Sequence, residues 1–285
     1  MRKIRTDVRK IGLARALSKL GYCSRSQAVD LVRAGRVQVN GRVRRDPESP
    51  TTERDILLVD GKSADAPERV YVMLNKPRGL VTTRDDEKDR ATIYDCFANA
   101  KLPWLAPVGR LDRASEGLLL LTNDSEWAAR VTDPAQHLDK TYHVQIDRVA
   151  DEALLKSLLT GVRSEPPSDV RSGKTSAPQG RNMKARHGSA GKAEPNSSRA
   201  QSRRDGMEIL RAKSARLLRH GEKNSWIEII LDEGRNRHIR RMLAALDIEV
   251  LRLIRVAIGP LQLGNLAKGS WRELTAAEKR AIDES

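Results

Sequence analysis

The chain has 285 residues, a length that suits two domains, with a net charge of +15 and only 3% aromatic residues. No apolar run is long enough to span a bilayer, the opening MRKIRTDVRK lacks the apolar stretch of a secretory leader, and Cys23 and Cys96 form no CxxC pair. A membrane-spanning protein, a disulfide scaffold and a cysteine zinc site are therefore not expected, and a reducing cytoplasm is the expected compartment. The positive charge points to a polyanion, nucleic acid first. No basic amphipathic helix with aromatic anchors suggests a membrane surface instead.

Residues 1–62 carry 15 basic and 7 acidic side chains. Leu13, Ala16, Leu17 and Leu20 recur at helical spacing until Gly21. Ser24-x-x-Gln27 is a capping box that predicts a second helix, stopped by Gly35. Asn40-Gly41 predicts a hairpin, and Ile56 to Val59 a further strand. Two architectures fit this unit. One is a helix-turn-helix with a wing, which would read a DNA groove. The other resembles the RNA-binding domain first seen in ribosomal protein S4, through Ser24-Arg25, Gly35-Arg36-Val37 and Val39-Asn40-Gly41. That resemblance implies RNA backbone contacts from Arg15, Arg25, Arg33, Arg36 and Arg42. Each of these is equally compatible with a solvated basic face.

Val70 to Asn75 predicts a strand, followed by a Lys76-Pro77-Arg78-Gly79 turn. Four leucines, Leu118 to Leu121, predict a buried strand bounded by Gly117 and Asn123. Asp112 lies in the polar, turn-rich run before it. A loop beside a buried strand is a good place for a reactive group. An Asp there is also an ordinary turn cap, and residue type alone leaves both open. Asp151 begins a predicted helix that ends at Gly161.

The segment 163–206 has 17 Gly, Pro and Ser among its 44 residues and ten basic against four acidic side chains. Such composition cannot offset its ordering entropy, so a disordered basic insertion is expected. Its Ser-Gly-Lys-Thr at 172–175 lacks the phosphate loop's first glycine, since position 168 is Ser168. Asn196-Ser197-Ser198 is a glycosylation sequon that a cytoplasmic chain would not use.

Ser225 to Leu231 alternates as a strand does. In the following Glu233–Leu246 stretch, Ile239, Met242, Leu243 and Leu246 share one helical face. Helical geometry turns Arg237 and Arg241 away from that face and sets Arg240 at its flank. A flanking Arg can lay its stem on the core and reach a cleft. Leu251 to Ile258 predicts another strand, and Thr275-x-x-Glu278 caps a terminal helix. The histidines at 137, 143, 187, 220 and 238 show no metal-ligand spacing.

Gly109-Arg110-Leu111-Asp112, with Ser115-x-Gly117 and Leu118 to Asn123, is similar to the signature of the RsuA-type RNA pseudouridine synthases, which modify bacterial ribosomal RNA. Asn75-Lys76-Pro77-x-Gly79, Lys140-Thr141-Tyr142, Glu233 to Met242, Leu253 to Gly259 and Leu263 to Arg272 resemble the same family in order and spacing. The resemblance implies an α+β fold: an S4-like domain at 1–62, a linker at 63–69, and a catalytic domain at 70–285 with a mostly antiparallel central sheet. It implies isomerisation of uridine to pseudouridine in ribosomal RNA, with the match leaning to the large subunit. No cofactor and no metal are implied, since the reaction is not a redox change, and a monomer is the expected state. Asp112 matches the family's covalent catalyst, Arg240 its basic partner and Tyr142 the ring that stacks on a flipped uracil. Arg110 and Arg237 join the candidate RNA contacts. His238 stands where the family often has Gln, and the 163–206 insertion is longer than expected. A non-catalytic RNA-binding factor on this fold would not need Asp112, Tyr142 and Arg240 together. A winged-helix regulator would leave the larger domain unexplained.

Overall fold

The structure, a computed structural model, describes residues 10–65, 67–83, 88–166 and 207–285. The N-terminal helices run Leu13–Lys19 and Arg25–Arg33. The capping box forms in both directions: Gln27 N–H donates to Ser24 Oγ, and Ser24 N–H donates to Gln27 Oε1, each at 3.1 Å. Asn40 and Gly41 both take positive φ (51° and 78°), the geometry of a two-residue hairpin turn between Val37–Val39 and Arg42–Arg44. Asp60-Gly61 repeats it between Leu57–Val59 and Lys62–Ser63, a hairpin the sequence reading did not include. Leu13, Leu17, Ala28, Val32, Val37, Val59 and Ala64 share one core. Lys62 and Ser63 are thus in a strand and Ala64 fills the core, so this domain runs past the expected end at 62. The reason is that the Leu57–Val59 strand needs a partner on its other edge.

The chain divides into two compact units, one of residues up to 143 with 252–285, the other of 144–251. In the first unit the central strand is Glu116–Thr122, with all seven residues buried. It pairs antiparallel with Tyr71–Lys76 and Ala106–Val108, and parallel with the Val250–Ile258 strand through Ile254 and Arg255. Trp271–Glu273 flanks Tyr71–Lys76. Gly117 was expected to bound the leucine strand, yet it lies inside it. A β-carbon there would meet the Arg255 carbonyl oxygen at 2.2 Å, so glycine permits a close strand approach. One face, with Met73, Leu118 and Leu120, packs on Trp127 and Val131 of helix Ser125–Thr132 and on Ile282 of helix Ala276–Asp283. The other face, with Val72, Leu74, Leu119 and Leu121, gathers Ile93, Leu105 and Leu111.

In the second unit, Ser214–His220 and Ser225–Leu231 form an antiparallel ladder. Ser225, Ile227, Ile229 and Leu231 are buried alternately, as expected. Asp151 caps helix Glu152–Thr160 by accepting from Leu154 N–H at 2.8 Å. Val162–Ser164 pairs with Glu208–Leu210, Ser164 opposite Glu208. Arg163 and Ser164 thus belong to a strand rather than to the expected disordered insertion, because the returning chain completes their ladder. Residues 167–206, including 172–175, His187 and the sequon, lie outside the described residues. No helix among the described residues is long and apolar enough to cross a membrane.

Candidate active site

The loop 109–115 joins Ala106–Val108 to the central strand. Leu111 is a buried plug tied to Thr82: its N–H donates to Thr82 Oγ1 at 3.3 Å, and that hydroxyl donates to its carbonyl at 2.7 Å. Ser115 N–H donates to the Asp112 carbonyl at 3.0 Å, and Gly79 N–H to the Arg113 carbonyl at 2.7 Å. Arg113 Nε returns a bond to the Gly79 carbonyl at 3.2 Å. The loop is therefore fastened at Leu111, Asp112, Arg113 and Ser115, and it holds the half-buried Asp112 on a rigid base.

Beneath it, Lys76 has no exposed surface. Its ammonium donates to the carbonyls of Ser115 at 2.9 Å, Asp112 at 3.1 Å and Pro77 at 3.2 Å. Burial pushes the ammonium down to about 8, although the Asp112 and Glu116 carboxylates pull it upward. In the sequence Lys76 reads as the first residue of a turn. The available signal was strand periodicity: in YVMLNK, Lys76 shares a face with Val72 and Leu74.

Glu116 was also missed. Burial alone would raise its carboxyl, but bonds from Arg252 and Lys268 outweigh that and hold it below its ordinary value. Arg252 grips both oxygens at 3.1 and 3.2 Å, and Lys268 lies 2.5 Å from one.

Tyr142 lies on strand Lys140–Ile146 and packs half-buried against the cluster that contains Leu111. Asp112 and Tyr142 are thereby brought to one face of the first unit. Arg240 belongs to the second unit. It is half-buried on helix His238–Ala244, and its Nη1 donates to the Val250 carbonyl at 3.3 Å. The helix starts at His238, and Arg237 precedes it in a left-handed conformation (φ 48°), exposed as expected. Arg241 departs from the expected outward, solvated position. It is largely buried and paired with Glu208 at 2.6 Å, because the Glu208–Leu210 strand returns beside the helix. His238 is buried, with its Nδ1 4.0 Å from a Glu233 oxygen, and burial lowers its pKa.

Arg15, Arg25, Arg33, Arg36, Arg42 and Arg110 are all exposed. Two are engaged within the domain: Arg36 forms a forked pair with Asp60 at 2.9 and 2.5 Å, and Arg25 lies 3.7 Å from Glu48. Arg15, Arg33 and Arg42 present their charge to solvent.

A family model described as RNA pseudouridylate synthase matches residues 70–245, and one described as S4 domain matches residues 11–57. The chain is 32% identical over 272 residues to ribosomal large subunit pseudouridine synthase B of Bacillus subtilis, covering 95% of this chain and 94% of that one. It is 33% identical over 271 residues to an RNA pseudouridine synthase of Aquifex aeolicus, covering 94% and 92%. Among solved structures it is similar to a pseudouridylate synthase at 27% identity, with a TM-score of 0.58, over 95% of this chain and 99% of that one.

Proposed function

The chain belongs to the RNA pseudouridylate synthase family, and on that premise we propose that it converts a uridine of large-subunit ribosomal RNA to pseudouridine with Asp112 as the covalent catalyst. Large-subunit RNA is favoured because the Bacillus subtilis relative, alike over nearly its whole length, bears that name. The observation that carries the assignment of Asp112 is the fastened loop that holds it above a buried lysine, on the face where Tyr142 packs.

The uridine must leave its stack to reach a group seated on such a loop. The Tyr142 ring, half-buried and amphipathic, would stack on the uracil. The Asp112 carboxylate forms a covalent adduct with the nucleotide while the bond from C1′ to N1 breaks. The base turns, C1′ joins C5 as the adduct bond to Asp112 breaks and its carboxylate is regenerated, the proton on C5 leaves, and N1 ends protonated. Substrate and product are isomers, so the balance needs no oxidant or reductant. Arg240, which matches the family's basic residue, is proposed as the basic residue of the reaction. The N-terminal domain supplies diffuse phosphate contacts through Arg15, Arg33 and Arg42, with Arg110 and Arg237 as further contacts. A ribosomal RNA substrate implies a cytoplasmic enzyme.

The test is to map pseudouridines in ribosomal RNA from cells with and without the gene, then complement with wild type or Asp112→Asn. The expected result is one large-subunit site lost and restored only by wild type, with Asp112→Asn still binding RNA within a few-fold. Restoration by Asp112→Asn would overturn the assignment of the catalyst. A small-subunit site would overturn the substrate.

A further inference from the structure

One edge of the central strand changes partner along its length. Glu116 and Gly117 pair in parallel with Ile254 and Arg255, whereas Leu120 to Thr122 pair antiparallel with Val108 to Ala106. Between these two ladders the strand forks, and the 109–115 loop leaves from one prong of that fork. The Leu118 carbonyl falls in the gap. A side chain satisfies it there: Arg255 Nε donates to it at 2.7 Å.

Arg255 is only 6% exposed. Its Nη2 is buried with no hydrogen-bond partner among the described residues. Gly117 is the register partner of Arg255 on one side and of Lys76 on the other. The three therefore form a row across adjacent strands, with both long cationic side chains on one face of the sheet. By alternation from Gly117, that face is the one bearing Leu119 and Leu121, which gathers Leu111 and Tyr142. Glu116 points to the opposite face, where Arg252 and Lys268 hold it. Two buried cations thus flank a glycine on the Asp112 side of the sheet. The charge of Asp112 steadies the Lys76 ammonium while that of Arg255 works against it.

A buried guanidinium is an expensive spacer, and an aliphatic side chain would separate two strands at lower cost. We propose that Arg255 is a positioning residue for the reaction: wedged in the fork, it sets the spacing of the strands that carry the 109–115 loop, and so the seat of Asp112. This rests on the reading of Asp112 given above. Arg255 acts through the Leu118 carbonyl and through its charge beneath the loop.

The test uses the full chain and a ribosomal RNA fragment containing the mapped uridine. Arg255→Met keeps the bulk and removes charge and donor; Arg255→Lys keeps the charge but cannot reproduce the planar donor. Arg255→Met should lower kcat by about 100-fold, the scale on which a small misplacement of a reacting group acts, with KM within about threefold and melting above the assay temperature. Arg255→Lys should recover part of the loss, to within about tenfold of wild type but not equal to it. A folded Arg255→Met with wild-type kcat would overturn the proposal, as would a loss that merely tracks the unfolded fraction. If Arg255→Met does not fold, Arg255→Lys decides, and wild-type kcat in that variant refutes the role. An inactive wild type overturns the reading of the site itself. An active wild type with unaffected Arg255 variants overturns this inference alone.

Discussion

Replacing Lys76 with Met should separate catalysis from stability. The substitution keeps a long, flexible, apolar stem and removes the ammonium that latches the catalytic loop from below. Three carbonyls lose a donor. The Asp112 carbonyl keeps one from Ser115 N–H, which leaves those of Pro77 and Ser115 as the main losses. At about 1–3 kcal/mol for each unsatisfied buried group, the loss is about 4 kcal/mol. Against it stands relief from burying a charge. The ammonium falls from 10.5 to about 8, which corresponds to about 3 kcal/mol held against the charged form. The two contributions nearly cancel. Stability should change by no more than about 2 kcal/mol, a melting shift below about 8 °C for a chain of this size. The loop, unlatched on one side, should still lose turnover by about 100-fold.

The same group makes a pH prediction. Its folded pKa is depressed, so between about 8 and 10.5 the unfolded chain binds more protons than the folded one. Its contribution to stability therefore rises with pH through that window, and below it the burial cost is present in full. Turnover moves the other way, falling as the ammonium is lost above about 8. Single-turnover rates against pH, alongside thermal melts, measure both. A folded Lys76→Met with turnover within about threefold of wild type would refute the latch. An alkaline limb unchanged in that variant would refute the assignment of the limb to Lys76.

Arg240→Leu should reduce turnover at saturating RNA far more than Arg237→Leu, since Arg237 is exposed ahead of the helix and Arg240 is half-buried on it; equal losses would contradict the distinction. Neutralising Arg15, Arg33 and Arg42 together should weaken RNA binding and shallow the log–log salt dependence by about 0.7–0.9 for each phosphate no longer neutralised, measured by titration at several salt concentrations. Neutralising Arg36 should do less to binding, because its guanidinium already pairs with Asp60. Replacing 167–206 with a short Gly-Ser turn should leave turnover at saturating RNA intact, because Ser164 and Glu208 face each other across a ladder and a short turn closes it. That segment carries nine basic and three acidic side chains, so at low salt the half-saturating RNA concentration should rise; collapse of turnover would show that the segment completes the site.

Local chemistry in the chain determined much of this molecule. Ser24 and Gln27 specify a helix start because each side chain can satisfy the other's backbone N–H. Asn40-Gly41 specifies a hairpin because both residues tolerate positive φ. The leucine run specifies a buried strand, and the order of the short patterns around Asp112, Tyr142 and Arg240 marked the candidate site. Tertiary structure decided what depends on neighbours distant in sequence. Gly117 reads as a strand boundary until Arg255 arrives alongside it and demands the missing β-carbon. Arg241 reads as an outward cation until Glu208 returns beside it. Strand periodicity sets Lys76 on the face of Val72 and Leu74, but nothing within a few positions of Lys76 or Arg255 reveals that the two share one face of the sheet with Asp112. Caps and turns are made by atoms a few bonds apart and so are written in the local sequence. The worth of a buried charge depends on acceptors that strands from distant parts of the chain bring together, and only the folded sheet supplies them.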